Sequence, residues 1–399
     1  MKFGKRFHLS SGTRNVALFD IGSGSVGVAL VQIQSDESAL ILHSVRTPIA
    51  FQHEYKAERL HPEMIRSLKE TLKGLESYRA KQGNEMRHLS EVHIILASPW
   101  YSSRTHLIKV HRDKAFTVTE RFLDDVMHKA KEQFSASDDA TAMFGGQQVR
   151  LEELIIQTIL NGYPTNAPYG KQASKLDAAV YLSLVDDGVR RSLVDAIEGL
   201  VGNGKTFMHS FSLLAYFAAR EVHPMLNDYV LVDVSGEVTD LALVRDGVFL
   251  ESASFPWGRN YLLRELAAKL GTIPEEAHTL LRLTGQKDAP PGDARVEEAR
   301  KSVEQTWQKA FDETCAELAE TELLPQSVLL TTLPDLAPWF ASLLASDIGS
   351  RHTYTHEPFS VTVFGGTDIV KQLQLAEGVQ HDPFLALEVI TLKNGKNFL

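Results

Sequence analysis

The sequence predicts an α/β protein built on a duplicated unit, and three observations carry that expectation. Residues 16–32, VALFDIGSGSVGVALVQ, return in altered form at 230–244 as VLVDVSGEVTDLALV. Each copy is an apolar strand ending in an aspartate, Asp20 or Asp233, then a small Gly/Ser-rich turn and a second apolar strand. Strand patterns and helix patterns also alternate along the rest of the chain. Finally, 399 residues with 43% hydrophobic and 23% charged content suffice for two or three globular domains, each with its own core.

In chain order, residues 39–46 read as a third strand. Residues 62–82 read as an amphipathic helix, with Met64, Ile65, Leu68, Leu72, Leu75 and Tyr78 at helical spacing. Short apolar strands follow at 92–98 and 102–110. Thr117 and Glu120 have the spacing of a capping box for a helix through Phe134. A polar stretch at 135–148 leads to strands near 149–160 and 176–185, separated by the turn-rich YPTNAPYGK. Helices at 188–201 and 210–221 precede the second hairpin. Asp246-Gly247 is a two-residue turn joining 241–244 to 248–251. Thr272, Ile273, Pro274 and Glu275 start a helix, and a loop at 285–293 leads into a long helix to about 322, carrying Val296, Val303, Trp307, Ala310, Phe311 and Leu318. Residues 327–332 read as a strand and 336–345 as a short helix. Two segments, 361–364 and 386–392, are expected to finish the second sheet, leaving a strand and tail at the C-terminus.

The chemistry of the two turns suits polyphosphate. Glycines and serines let backbone N–H groups and hydroxyls approach phosphate oxygens, while a carboxylate at the strand end holds a bridging cation through water. Two such hairpins facing each other across a cleft would clamp a nucleotide. This order of elements, with Thr239-Asp240 after the second turn, resembles the actin-like ATPase superfamily. The additional strands and helix after residue 92 resemble the 1C insert of the cell-division protein FtsA and the pilus-assembly protein PilM, and the helices after 272 resemble their 2B subdomain.

The resemblance implies two RNase H-like domains: domain 1 (1A) over 1–88 and 188–225, with a 1C-like insert at 89–187, and domain 2 (2A) over 226–271 and 324–399, with 2B at 272–323. It also implies ATP and Mg2+ as cofactors. By position, Asp20, Gly22, Ser23, Gly24 and Ser25 form the first phosphate loop, and Asp233, Ser235, Gly236 and Thr239 the second. Asp20 and Asp233 would hold Mg2+ through water. Ser235, Glu237 and Val238 depart from the FtsA pattern Asp-x-Gly-Gly-Gly-Thr-Thr. Glu237 either positions water as a catalytic base or turns out of the loop, since a carboxylate beside polyphosphate is repelled. The adenosine motif reads Thr331, Thr332, Leu333, Pro334, Asp335 and lacks the FtsA glycines; Phe364 to Asp368 supplies a glycine pair further on. Arg259 stands where FtsA has a glycine.

Composition excludes several alternatives. A formal net charge of −10 disfavours nonspecific nucleic-acid binding. Cys315 is the only cysteine, so neither an intrachain disulfide nor a cysteine zinc cluster can form, and a reducing cytoplasm is the simplest home. No run approaches 18 apolar residues, and the basic start with Lys2, Lys5 and Arg6 has no signal-peptide core. His352 and His356 would share a face in a strand but lack a third ligand. P-loop, nucleophile-elbow and HExxH motifs are absent.

The expected function is an ATP-binding scaffold, at most a slow ATPase, lying peripherally at the inner membrane through its partner. PilM-like proteins dock the cytoplasmic peptide of an inner-membrane protein, and the 1C-like insert is the place expected to receive it. Three alternatives stand beside this reading: an FtsA-like division filament with self-association, a nucleotide-free interaction protein, and a small-molecule kinase of the same superfamily.

Overall fold

The computed structural model describes residues 13–81, 89–135, 146–201, 204–284, 293–320, 322–366, 369 and 371–393. The N-terminal basic residues, most of the loop at 285–293, Thr367, Asp368 and the tail after 393 lie outside them. The first half runs β1 Arg14–Ile21, β2 Ser25–Ile33, β3 Ala39–Pro48, α1 Ala57–Lys81, β4 Glu91–Leu96, β5 Tyr101–Thr117, α2 Glu120–Ser135, β6 Gln148–Leu160, β7 Tyr163–Pro164, β8 Gln172–Asp186, α3 Asp187–Val201, β9 Lys205–Ser210 and α4 Phe211–Val222. The second runs β10 Tyr229–Val234, β11 Thr239–Arg245, β12 Val248–Phe255, α5 Arg259–Leu270, α6 Pro274–Thr284, α7 Ala294–Leu318, β13 Ser327–Thr331, α8 Ala337–Leu344, β14 Ser360–Val363, β15 Gln374–Leu375 and α9 Pro383–Lys393.

Both halves wind their sheets the same way. One sheet has the order β15-β3-β2-β1-β4-β9, the other β12-β11-β10-β13-β14. In each, three antiparallel strands form a meander and two further strands join parallel to the first. The duplication read from the two hairpins is therefore a duplication of topology. Central strands β1 and β10 are buried on both faces, which explains why they read as continuous apolar runs.

Helices pack in layers around the sheets. α1 and α3 cover one face of the first sheet through Met64, Leu68 and Leu193 against Phe19 and Leu30. α4 and α9 fill the layer between the sheets, with Phe211, Tyr216 and Leu387 in one core with Val16 and Leu231. α5, α7 and α8 cover the far face of the second sheet around Trp307 and Phe340. The segment between β4 and β9 makes its own sheet, β5-β8-β6-β7, with α2 packed on it through Leu123, Val126 and Phe134.

Several expectations are corrected. Residues 386–392 belong to α9, not to a strand of the second sheet, and every residue from Pro383 to Leu392 is buried. A short segment that is apolar all round has no period to separate a buried helix from a buried strand. β4, placed in the insert by the sequence, pairs with β1 inside the first sheet, so the separate sheet begins at β5. The cap of α2 is Thr119, whose hydroxyl accepts from Phe122 N–H at 3.2 Å; Thr117 ends β5 and accepts from the Gln172 amide. Strand β9 and helix α5 add to the predicted elements. His352 lies in a 3₁₀ turn, 3.0 Å from Asp312, and no group of three metal-ligating side chains occurs among the described residues. The Asp246-Gly247 turn is as read, with positive φ at both residues.

Candidate functional site

Asp20 ends β1, and strand register decides its partner. It sits opposite Gly27 of β2, which sits opposite Arg46 of β3. Because Gly27 has no side chain, Arg46 crosses over it: a methyl group at Gly27 would lie 2.8 Å from Arg46 Nη2. The guanidinium reaches Asp20 at 2.7 Å. It also donates through Nε and Nη2 to both oxygens of Asp382, at 2.6 and 2.9 Å, and through Nη1 to Ser25 Oγ at 3.0 Å. Burial raises the Asp20 carboxyl above its ordinary range, and Arg46 offsets part of that rise.

The two Gly/Ser turns touch directly. Ser235 Oγ donates to Val238 C=O at 2.9 Å, which leaves Ser23 Oγ to donate to Ser235 Oγ at 2.9 Å while accepting from Glu237 N–H at 2.9 Å. A methyl group on Gly236 would stand 2.3 Å from the Gly24 Cα and 2.4 Å from its nitrogen. Gly22 N–H is turned inward to Ser25 C=O, and Ser235 N–H to Val238 C=O. The N-terminus of α5, an arrangement suited to anions, is capped by the loop itself: Arg259 N–H and Asn260 N–H donate to the carbonyls of Ser235 and Gly236.

Glu237 turns inward. It is buried and held by Arg264 at 2.7 and 3.1 Å, with Asn260 Nδ2 donating at 2.9 Å. The alternative in which it points out of the loop is thereby corrected, and as a base it would first have to give up a bidentate guanidinium partner. Asp233 has no such cation. Thr331 Oγ1 donates to its Oδ1 at 2.5 Å, and Oδ2 is buried without a partner. Burial, then the charge of Asp240, push Asp233 well above the carboxylate range, and burial pushes Asp240 up to about 7. Thr332 donates to Val234 C=O and Thr239 to Trp257 C=O.

All the sequence-predicted loop residues therefore converge on one place, but in this arrangement they do not fit Mg2+ and a polyphosphate. The N–H groups of Gly22, Ser235 and Glu237 and the Ser235 hydroxyl are spent within the protein, the glycine backbones that would cradle phosphate are in contact, and a guanidinium stands against Asp20. Residues that sequence reasoning missed are Arg46, Asp382, Arg264 and Asn260. The one signal available was Gly27 in the middle of an otherwise apolar strand, a mark of close approach across a sheet.

A second feature lies at the insert. A groove of about 360 Å³ runs between β6 and α4, lined by Leu154, Ile156, Gln157, Phe217, Arg220 and Asn166 among others. β6 pairs with β8 on one side; on the other only Ile159 and Leu160 pair, with β7. No described helix is long and apolar enough to cross a membrane.

Comparison with known proteins identifies the fold. A structure of the PilM-PilN type IV pilus biogenesis complex matches at a TM-score of 0.57 with 12% identity, covering 96% of this chain and 97% of that one. The ethanolamine utilization protein EutJ from Carboxydothermus hydrogenoformans matches at a TM-score of 0.40 with 11% identity over 96% and 90% of the two chains. A Bacteroides thetaiotaomicron protein with an actin-like ATPase fold and unknown function matches at 0.40 with 10% identity over 97% and 99%. No family model and no curated protein matches. The chain has the duplicated actin-like ATPase fold, in a PilM-like form.

Proposed function

We propose, with the actin-like fold as premise, that this chain is a docking scaffold that holds a cytoplasmic peptide of an inner-membrane protein in a pilus- or secretion-type assembly, without turning over ATP. The observation that carries this reading is the direct contact of the two phosphate loops, Ser23 on Ser235 and Gly24 on Gly236. A fold whose clamp is closed on itself keeps its shape and loses its chemistry. Its use then lies in surfaces.

The groove between β6 and α4 supports the docking half. The outer edge of β6 leaves main-chain groups without a strand partner among the described residues, and Leu154, Ile156 and Phe217 give apolar contact beside Arg220 and Gln157. An extended peptide adds to such an edge by strand pairing and places alternate side chains in the groove. That the structurally similar PilM forms a complex with PilN fits a peptide-binding role. Recruitment by such a partner would set the chain peripherally at the inner membrane.

A photo-crosslinking residue at Ile156 tests the proposal in the native cell. Capture of a single-span inner-membrane protein through its cytoplasmic segment is expected from Ile156 and not from the remote exposed Tyr354. Crosslinks that appear equally at both positions, or at neither, would contradict it.

A further inference from the structure

We propose that Arg46 is the built-in cation of the first loop, standing where a hydrated divalent ion would sit beside Asp20 and thereby excluding the metal-nucleotide. The inference rests on the nucleotide-free reading above and adds to the loop contact a second obstacle, at the metal position.

The row Asp20, Gly27, Arg46 runs across three neighbouring strands, so the guanidinium is placed by sheet register and not by a mobile loop. Every edge of it is used. Asp20 and Ser25 take it on the loop side, Asp382 takes it bidentately on the other, and the Phe384 ring lies 5.1 Å beneath. Asp382 in turn accepts from Phe384 N–H and Leu385 N–H, which fastens the start of α9 to the same cation. The C-terminal helix, the third strand and the first phosphate loop are thus joined at one guanidinium.

A third acidic side chain is buried beside Asp20 and Asp382. Glu388 on α9 is 0% exposed, and neither of its carboxyl oxygens has a partner. Burial, then the charge of Asp20, raise Glu388 well above the carboxylate range, so it stands beside the cluster as a neutral acid. Two carboxylates, Asp20 and Asp382, therefore share one guanidinium. Such a cluster retains its demand for positive charge when the arginine is removed, and a divalent ion with its water shell meets that demand while leaving the Ser25 hydroxyl open to phosphate. With Arg46 present, a second cation beside Asp20 is repelled by the first.

The experiment uses the full chain, its Arg46→Ala variant, the Arg46→Ala/Asp382→Asn double variant and Arg46→Lys. Thermal unfolding is followed with and without Mg2+ at constant ionic strength, and Mg·ATP is titrated by calorimetry. The wild-type chain and Arg46→Lys are expected to ignore Mg2+. Arg46→Ala is expected to melt lower, to recover with Mg2+ but not with Na+, and to gain roughly tenfold or more in Mg·ATP affinity. The double variant, which removes one surplus charge while keeping the cap on α9, provides the same readout if the single variant does not fold. Tight Mg·ATP binding by the wild-type chain would overturn both this inference and the nucleotide-free reading. A wild-type chain that does not bind, beside variants that gain neither Mg2+ stabilisation nor affinity, would overturn the role of Arg46 alone.

Discussion

In the first hairpin the aspartate near the end of the leading strand has a guanidinium 2.7 Å away; in the second it has a threonine hydroxyl and, among the described residues, no ion-pair partner. The two halves share strand order, hairpin and position of the carboxylate, yet each has a different answer to burying it. In the first, Arg46 arrives from the third strand over Gly27. In the second, burial raises the carboxyl of Asp233 well above the carboxylate range, and the ion pair made by that loop is Glu237 with Arg264 of α5. A duplicated fold can thus be kept while its shared chemistry is replaced residue by residue, because strand pairing and layer packing do not depend on what fills the cleft.

The largest effect that would sharpen this comparison is expected from Arg264→Ala. It strands Glu237 as a buried, unpaired charge and should cost about 3–5 kcal/mol in denaturant unfolding. Glu237→Gln in the same chain should return most of that loss. Independent, additive effects of the two changes would mean that Glu237 is free for other work.

Acid should break the two halves apart. His93 of β4 lies 3.0 Å from His209 of β9, and burial brings its pKa down to about 4. As the pH falls through 6.5 the unfolded chain takes up a proton that folded His93 refuses. Stability therefore declines between about pH 6.5 and 4, by up to roughly 3 kcal/mol. Hydrogen exchange should show β4 and β9 losing protection over that window before β13 and β14. A His93→Gln chain should lose less. Equal acid sensitivity in both sheets would count against this assignment.

The smallest effect separates the two aspartates themselves. Asp233→Asn replaces a carboxyl that burial holds well above the carboxylate range and should change stability by less than about 1 kcal/mol at pH 7, whereas Asp20→Asn removes one partner of Arg46 and should cost about 1–3 kcal/mol. Equal costs would mean that the two sites are electrostatically alike.

Much of the fold was legible because it is written in local patterns. The two apolar hairpins, the Asp246-Gly247 turn and the long helix bearing Trp307 and Phe311 all appear where period and turn chemistry place them. α9 was not legible, since a helix buried on every side has no polar stripe. Helix α5 begins at Arg259 behind Gly258, which supplies no side-chain cap, so its start had no marker. The candidate site was legible as a set of positions, Asp20 to Ser25 and Asp233 to Thr239, but not as an arrangement. Whether Arg46 meets Asp20 depends on the register of β3, which slips between Leu30 and Val31 of its partner strand, and whether Glu237 turns inward depends on Arg264, 27 residues away in a helix of the far layer.

The central claim is that the clamp is closed on itself, and calorimetric titration of Mg·ATP into the unmodified 399-residue chain tests it most directly. The account predicts no saturable heat up to about millimolar nucleotide, corresponding to a binding free energy weaker than about −4 kcal/mol. Saturable binding in the micromolar range that is lost on Asp20→Ala would contradict it, and would restore the two loops as a working nucleotide site.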